Sequence, residues 1–145
     1  MNVDLCQILL VEDNLADVRL TKEGLLDAKV ANELHVVSDG VEALDFLYRR
    51  NGHESAPRPH IVILDLNLPR RTGHEVLVEM KKDPSLRQIP VAVLTTSAEE
   101  IDILRSYDLG ANCYLVKPVD LNQFLKLVEA IDEFWLGVVR LPGHR

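Results

Sequence analysis

Ile61-Val62-Ile63-Leu64-Asp65-Leu66-Asn67-Leu68-Pro69 is the stretch on which the fold turns. Four apolar residues, three of them β-branched, run directly into a carboxylate. Such a run reads as a strand buried on both faces, the habit of strands in parallel sheets. Asp65 falls at the carboxyl end of that strand, and Pro69 stops the pattern from continuing as a central strand. Open α/β sheets gather their ligands beyond the carboxyl ends of the strands. An aspartate there is therefore a candidate for chemistry as well as for capping a turn.

Moving outward, the arrangement recurs. Gln7-Ile8-Leu9-Leu10-Val11 runs into Glu12-Asp13, and Asn14 caps a helix expected from about Leu15 to Ala28. Gly24 inside that helix is read as close packing on the sheet. Glu33 to Val37 is a short strand, Ser38-Asp39-Gly40 a turn, and Val41 to Arg50 a helix whose Arg49 and Arg50 suit the dipole of its last turn. Asn51 to Pro59, with Gly, Ser and two prolines, is a surface loop. After Asp65 come the loop Arg70-Arg71-Thr72-Gly73 and a helix from about His74 to Lys82 presenting Val76, Leu77 and Met80, which Asp83-Pro84 ends. Ile89 to Leu94 is a fourth strand, and Thr95-Thr96-Ser97 opens a helix ending near Gly110. Cys113 to Val116 is a fifth strand leading into Lys117-Pro118, and a last helix runs from Asp120 to about Leu136. Strand and helix alternate five times. That predicts an α/β fold with a five-stranded parallel sheet and helices on both faces.

The chain has 145 residues, enough for a single domain spanning 1–145, with a core of about 7–136 and a C-terminal extension over 137–145. Its apolar share of 47% and charged share of 27% place it in the soluble globular class. A net charge of −7 with no basic run argues against nucleic acid and against an anionic membrane surface as partners. The N-terminus does not read as a signal peptide, and no apolar run is long enough to span a bilayer, so the expected location is cytoplasmic. Cys6 and Cys113 read as reduced core residues, with a bridge between them left open. There is no CxxC pair, and the five histidines, His60 among them as a loop residue, show no metal-site spacing, which argues against zinc.

Four of the five strands end in reactive side chains: Glu12 and Asp13, Asp65, Thr95, and Lys117. A parallel sheet puts all those ends on one edge. Three carboxylates there repel one another unless a cation sits among them. Oxygen ligands of this kind suit Mg²⁺, which takes one or two carboxylates and keeps waters or phosphate oxygens. Lys117 adds a positive charge and Thr95 a hydroxyl donor. Together they describe a site for an aspartyl phosphate.

Glu12-Asp13, Asp65, Thr95 and Lys117-Pro118, in that order and at those strand ends, resemble the receiver domain of two-component response regulators, a doubly wound (βα)5 fold of the flavodoxin-like type. The resemblance covers about Gln7 to Leu136, and Asn67, Pro69 and Gly73 also match the family after the phosphoacceptor. It implies that Asp65 is phosphorylated. It implies that Asp13, Asp65 and the backbone carbonyl of Asn67 bind Mg²⁺, with Glu12 acting mainly through water. It makes Thr95 the switch hydroxyl, Lys117 the partner of the phosphoryl group and Tyr114 the aromatic switch residue. Thr96 departs from the small residue the family prefers there. That points to restricted access to Asp65 and slower loss of the phosphoryl group to water.

The last helix is apolar over much of its circumference. Phe124, Val128, Ile131 and Trp135 should face the sheet, whereas Leu125, Leu127 and Phe134 lie outside that stripe. Such a helix is usually covered by something else. The expected cover is a second copy, in a homodimer through the fourth-helix, fifth-strand and fifth-helix face; the C-terminal tail folding back is the alternative. Val11-Glu12-Asp13-Asn14, Ala16-Asp17-Val18-Arg19-Leu20, Leu64 to Pro69, Leu94 to Ser97, Ser106 to Leu109 and Glu133 to Leu136 resemble the small response regulators of phytochrome-type histidine kinases. That subgroup is single-domain and often dimeric, and the resemblance implies a sensor histidine kinase, a light-sensing one, as partner. No output domain follows the receiver pattern, so the expected action is through protein contacts.

Three functions compete. The leading one is a phosphorylation switch, whose only catalysis is its own phosphorylation and dephosphorylation at Asp65. A Mg²⁺-dependent phosphohydrolase would need a second carboxylate two residues after its nucleophile, where this chain has Asn67. A phosphorylation-independent binding module of receiver fold has no evident need for the intact set of Glu12, Asp13, Asp65, Thr95 and Lys117.

Overall fold

The computed structural model describes residues 6–26, 32–66, 68, 72–95 and 113–117. Its strands are β1 (Cys6–Val11), β2 (Asn32–Val37), β3 (Ile61–Asp65), β4 (Val91–Thr95) and β5 (Cys113–Val116). They form one parallel sheet in the order β2-β1-β3-β4-β5. The helices among the described residues are α1 (Leu15–Leu26), α2 (Gly40–Tyr48) and α3 (Gly73–Lys82), with a 3₁₀ turn at Leu86–Gln88. The helices expected after Thr95 and after Asp120 lie outside the described residues, as do Asn67, Thr96, Leu125, Leu127 and Phe134.

The alternation of side chains along each strand divides the core into two layers. Leu9, Val11, Val62, Leu64, Val91 and Val93 pack with Ala43, Leu44 and Leu47 of α2 and with Val76, Leu77 and Met80 of α3. The intervening Ile8, Leu10, Ile61, Ile63, Ala92 and Leu94 pack with Val18 and Leu25 of α1. β3 and β4 are buried at every position, which is why their sequences read as unbroken apolar runs. β2 is an edge strand and buries only Val37. Its more polar sequence follows from that exposure.

Element ends differ from the sequence expectation by a residue or two, each for a local reason. α2 starts at Gly40 because the Asp39 carboxylate accepts from the Glu42 N–H at 2.8 Å. It ends at Tyr48, and Arg49 turns left-handed at φ 56°. The Arg50 N–H then returns to the Asp45 carbonyl at 2.9 Å, a Schellman-type closure. Arg49 and Arg50 therefore lie past the last turn rather than within it, and the Arg50 side chain pairs instead with Asp45 at 2.9 Å. β4 begins at Val91 rather than Ile89. The preceding residues form the 3₁₀ turn, capped by Asp83, whose Oδ1 accepts from the N–H groups of Ser85 (2.8 Å) and Leu86 (3.0 Å).

The strand order fixes where a site can form. From β1 the chain steps to β2 on one side, whereas β3, β4 and β5 advance on the other. The direction reverses between β1 and β3, and the crevice beyond their carboxyl ends is the topological switch point. Glu12 follows β1 and Asp65 ends β3.

Candidate functional site

Strand alternation brings three of the expected residues to one side of the sheet. Glu12 continues the series Ile8 and Leu10, and Asp65 continues Ile61 and Ile63, both of the α1 layer. In β5, Cys113 pairs in register with Ala92 and Leu115 with Leu94, so Lys117 continues a series that matches this same layer. A one-residue slip in any of these strands would send its charge to the opposite face.

The geometry is that of a single cation among carboxylates. Lys117 Nζ lies 2.9 Å from Asp65 Oδ2, 2.8 Å from Glu12 Oε1 and 3.0 Å from Asp17 Oδ2. Its backbone N–H donates to the Thr95 carbonyl at 2.6 Å, which ties the end of β5 to the end of β4. Burial opposes the charge on this ammonium. Hydrogen bonds to Asp65, Glu12 and Asp17 outweigh that effect and hold Lys117 above the usual lysine range. Glu12 and Asp65 are almost completely buried, at 1% and 2% exposed. Burial, reinforced by the nearby Asp65 and only partly offset by Lys117, pushes the Glu12 carboxyl up to about 7.

Gly73 explains how α3 can begin so close to Asp65. A Cβ at this position would stand 2.1 Å from the Asp65 carbonyl oxygen and 2.7 Å from the Leu66 Cα. The Gly73 N–H donates to the Leu66 carbonyl at 3.1 Å, closing the turn that follows β3. Thr72 and Glu75 then cap α3 reciprocally: the Thr72 hydroxyl accepts from the Glu75 N–H at 3.2 Å, and the Glu75 carboxylate from the Thr72 N–H at 3.0 Å.

Asp13 is exposed, and one of its carboxylate oxygens comes within 4.8 Å of one from Glu12 and one from Asp65. Lys117 Nζ donates to Glu12 Oε2 at 3.1 Å, and the buried Glu12 Oε1, 2.8 Å from the same ammonium, is an ion-pair partner without hydrogen-bond geometry. An all-oxygen set of three carboxylates converging within 4.8 Å fits a hard divalent cation. Thr95 is fully buried at the end of β4. Tyr114 is half-buried against the α2–α3 core layer. Thr95 pairs in register with Val116, two residues beyond Tyr114, so alternation places Thr95 and Tyr114 on the same side of the sheet. Glu12, Asp13, Asp65 and Lys117 are thus brought together. Asn67, Leu125, Leu127 and Phe134 fall outside the described residues. Sequence reasoning passed over Asp17 as a participant in the site. Its signal was position: one turn into α1, at a spacing of four from Asp13 and next to the sheet-facing Val18.

A parallel sheet in this order, with acidic side chains and a lysine gathered at its switch point, is the architecture of a receiver module. The chain belongs to the response regulator receiver domain family, whose model matches residues 8–129. It is 48% identical over 136 residues to the response regulator Rcp1 of Synechocystis, covering 94% of this chain and 92% of that one. Among solved structures it resembles the phosphorylated cyanobacterial phytochrome response regulator RcpA, with 47% identity, a TM-score of 0.78, and 97% and 100% of the two chains covered. It also resembles the Mn²⁺-bound form of Rcp1, with 47% identity, a TM-score of 0.76, and 94% and 99% covered. The protein is a response regulator of two-component signalling. Receiver domains are signalling modules that act with histidine kinases and, as a family, take a phosphoryl group on an aspartate and bind Mg²⁺.

Proposed function

We propose that this protein is a phosphorylation switch in which Asp65 takes a phosphoryl group from a sensor histidine kinase and the change is read through protein contacts. The observation that carries the reading is the convergence on Asp65. Its Oδ2 lies 2.9 Å from Lys117 Nζ, and a carboxylate oxygen of Asp65 lies within 4.8 Å of oxygens from Glu12 and Asp13. An Asp65 oxygen attacks the phosphorus of a phosphohistidine. The O–P bond forms, the N–P bond breaks, and the electron pair leaves on the imidazole nitrogen. Lys117 meets a phosphoryl oxygen with its ammonium. In a separate hydrolytic step water attacks the phosphorus, the Asp65 O–P bond breaks with its electron pair staying on the carboxylate, and inorganic phosphate leaves with the water proton released to solvent.

Asp13, Asp65 and the backbone carbonyl of Asn67 hold Mg²⁺ in this reading, with Glu12 acting through water. When bound, Mg²⁺ neutralises the charge that the carboxylates and the phosphoryl group bring together. The Thr95 hydroxyl turns to the phosphoryl group and Tyr114 follows on the same side of the sheet, shifting the population of partner-binding states. The complete fold is (βα)5 in one domain over 1–145, with a core of about 7–136, and the place of action is the cytoplasm. The likeness to Rcp1 and RcpA supports a phytochrome-type kinase as donor. A homodimer through the fourth-helix, fifth-strand and fifth-helix face, with Leu125, Leu127 and Phe134 at the contact, accounts for the apolar circumference of the last helix.

Intact mass after incubation with Mg²⁺ and acetyl phosphate tests the central step. Wild type gains one phosphoryl group, and Asp65→Asn gains none. Equal gain in both would move the phosphoacceptor elsewhere, and no gain in folded wild type would return the chain to a binding-only role.

A further inference from the structure

The Lys117 ammonium has three N–H donors and three carboxylates around it: Glu12, Asp65 and Asp17. A phosphoryl oxygen arriving on Asp65 finds those donors already engaged, so one carboxylate has to release its hold. The three are not equal. The side chains of Glu12 and Asp65 are 0% and 3% exposed, whereas that of Asp17 is 30% exposed. A buried carboxylate that loses its cation is left uncompensated, whereas a partly exposed one is rehydrated by water. Asp17 also stands outside the carboxylate group whose oxygens converge within 4.8 Å. Its release therefore does not disturb the residues that would hold a cation.

The backbone of Asp17 is held within the first turns of α1. Its N–H donates to Asn14 Oδ1 at 3.0 Å, and its carbonyl accepts from the Thr21 hydroxyl at 2.9 Å. These bonds fix the first turn of α1, and the 3.0 Å ion pair sets the Asp17 carboxylate against Lys117 at the end of β5.

We propose that Asp17 is a positioning residue that holds the Lys117 ammonium beside Asp65 in the unphosphorylated protein and yields it to the phosphoryl oxygen, so that its contact with Lys117 opposes phosphorylation. This inference rests on Asp65 being the phosphoacceptor. The contact stabilises only the unphosphorylated form. Removing the carboxylate shifts the balance towards the phosphorylated one, by about threefold for a partly exposed ion pair. It also frees the first turn of α1 from β5 when the phosphoryl group is on.

The test compares full-length wild type, Asp17→Asn, Asp17→Ala, Asp17→Glu and Asp65→Asn at a subsaturating concentration of acetyl phosphate with Mg²⁺. The readouts are the phosphorylated fraction by intact mass and the Mg²⁺ affinity of the unphosphorylated proteins. Asp17→Asn and Asp17→Ala are expected to raise the phosphorylated fraction about threefold. Asp17→Glu returns it to the wild-type level, and the Mg²⁺ affinity of the three Asp17 variants stays within about twofold of wild type, as expected for a group outside the cation cluster. An unchanged or lower fraction in both Asn and Ala variants overturns the inference while leaving Asp65 as the acceptor. So does a rise that Glu does not reverse, or one that tracks a change in Mg²⁺ affinity. If wild type gains no phosphoryl group, or Asp65→Asn gains as much, the phosphoacceptor reading fails and this inference falls with it.

Discussion

The two edges of the sheet are built from the same strands and solve opposite problems. At the amino-terminal edge, polar groups are answered locally. The His60 N–H donates to the Gln7 carbonyl at 2.7 Å, and its Nδ1 accepts from the Gln7 N–H at 2.7 Å. Arg58 donates to the Ser85 hydroxyl (2.9 Å) and carbonyl (2.8 Å), and Asp83 caps the 3₁₀ turn beside it. At the carboxyl edge, Glu12, Asp17 and Asp65 meet one lysine, and Asp13 approaches the Glu12 and Asp65 oxygens. Four carboxyl groups against one ammonium are poorly balanced in the protein alone, and burial already pushes the Glu12 carboxyl up to about 7. That imbalance favours an added cation, and a phosphoryl group can then enter. One edge is finished by folding; the other stays ready to change charge.

The contrast breaks hardest at Lys117. Lys117→Met leaves the buried carboxylates without their counter-charge and should cost about 3–5 kcal/mol of stability in urea unfolding with chelator present. Saturating Mg²⁺ should recover part of that loss, because a divalent cation neutralises the same oxygens. A loss below about 1 kcal/mol would mean that the two edges are electrostatically alike.

Gly73→Ala comes next. The added methyl cannot share space with the Asp65 carbonyl 2.1 Å away, so the α3 start or the end of β3 has to move. About 3 kcal/mol of destabilisation is expected, together with slower phosphorylation of Asp65 by acetyl phosphate. Full stability with unchanged phosphorylation would show that this turn does not set the position of Asp65.

The smallest effect belongs to the other edge. Hydrogen bonds from the Leu86 and Ser85 N–H groups hold the Asp83 carboxyl below its ordinary 3.8. A carboxyl with a depressed folded-state value adds stability above the unfolded value and loses it as pH falls through the folded one. Asp83→Ala should therefore be slightly less stable than wild type at pH 7, with the gap closing as the pH drops below about 4. Its phosphorylation by acetyl phosphate should be unchanged. Altered phosphorylation in this variant would show that the edges communicate.

Much of the fold was legible because β3 and β4 are buried on both faces and so carry unbroken apolar runs. The site residues were legible for a related reason: they interrupt those runs at their ends, where a charge is conspicuous. Boundaries were less so. The start of β4 moved from Ile89 to Val91 because Asp83 and Ser85 build a turn whose partners are backbone groups, invisible to apolar patterning. The end of α2 moved because a non-glycine residue, Arg49, took the left-handed position where glycine is the usual signal.

What the sequence determined by itself was therefore the local chemistry: which runs become strands, which ends carry carboxylates, a hydroxyl and a lysine, and that a glycine stands after Asp65. Each of these follows from neighbours in the chain. Tertiary structure decided which groups share a charge. Lys117 is 105 residues from Glu12 and 52 from Asp65 along the chain. Only parallel pairing in register puts all three on the α1 side of the sheet. Asp17 belongs to that group solely because α1 packs across the same face, and no pattern of apolar residues encodes which carboxylate will reach an ammonium brought from the far end of the chain.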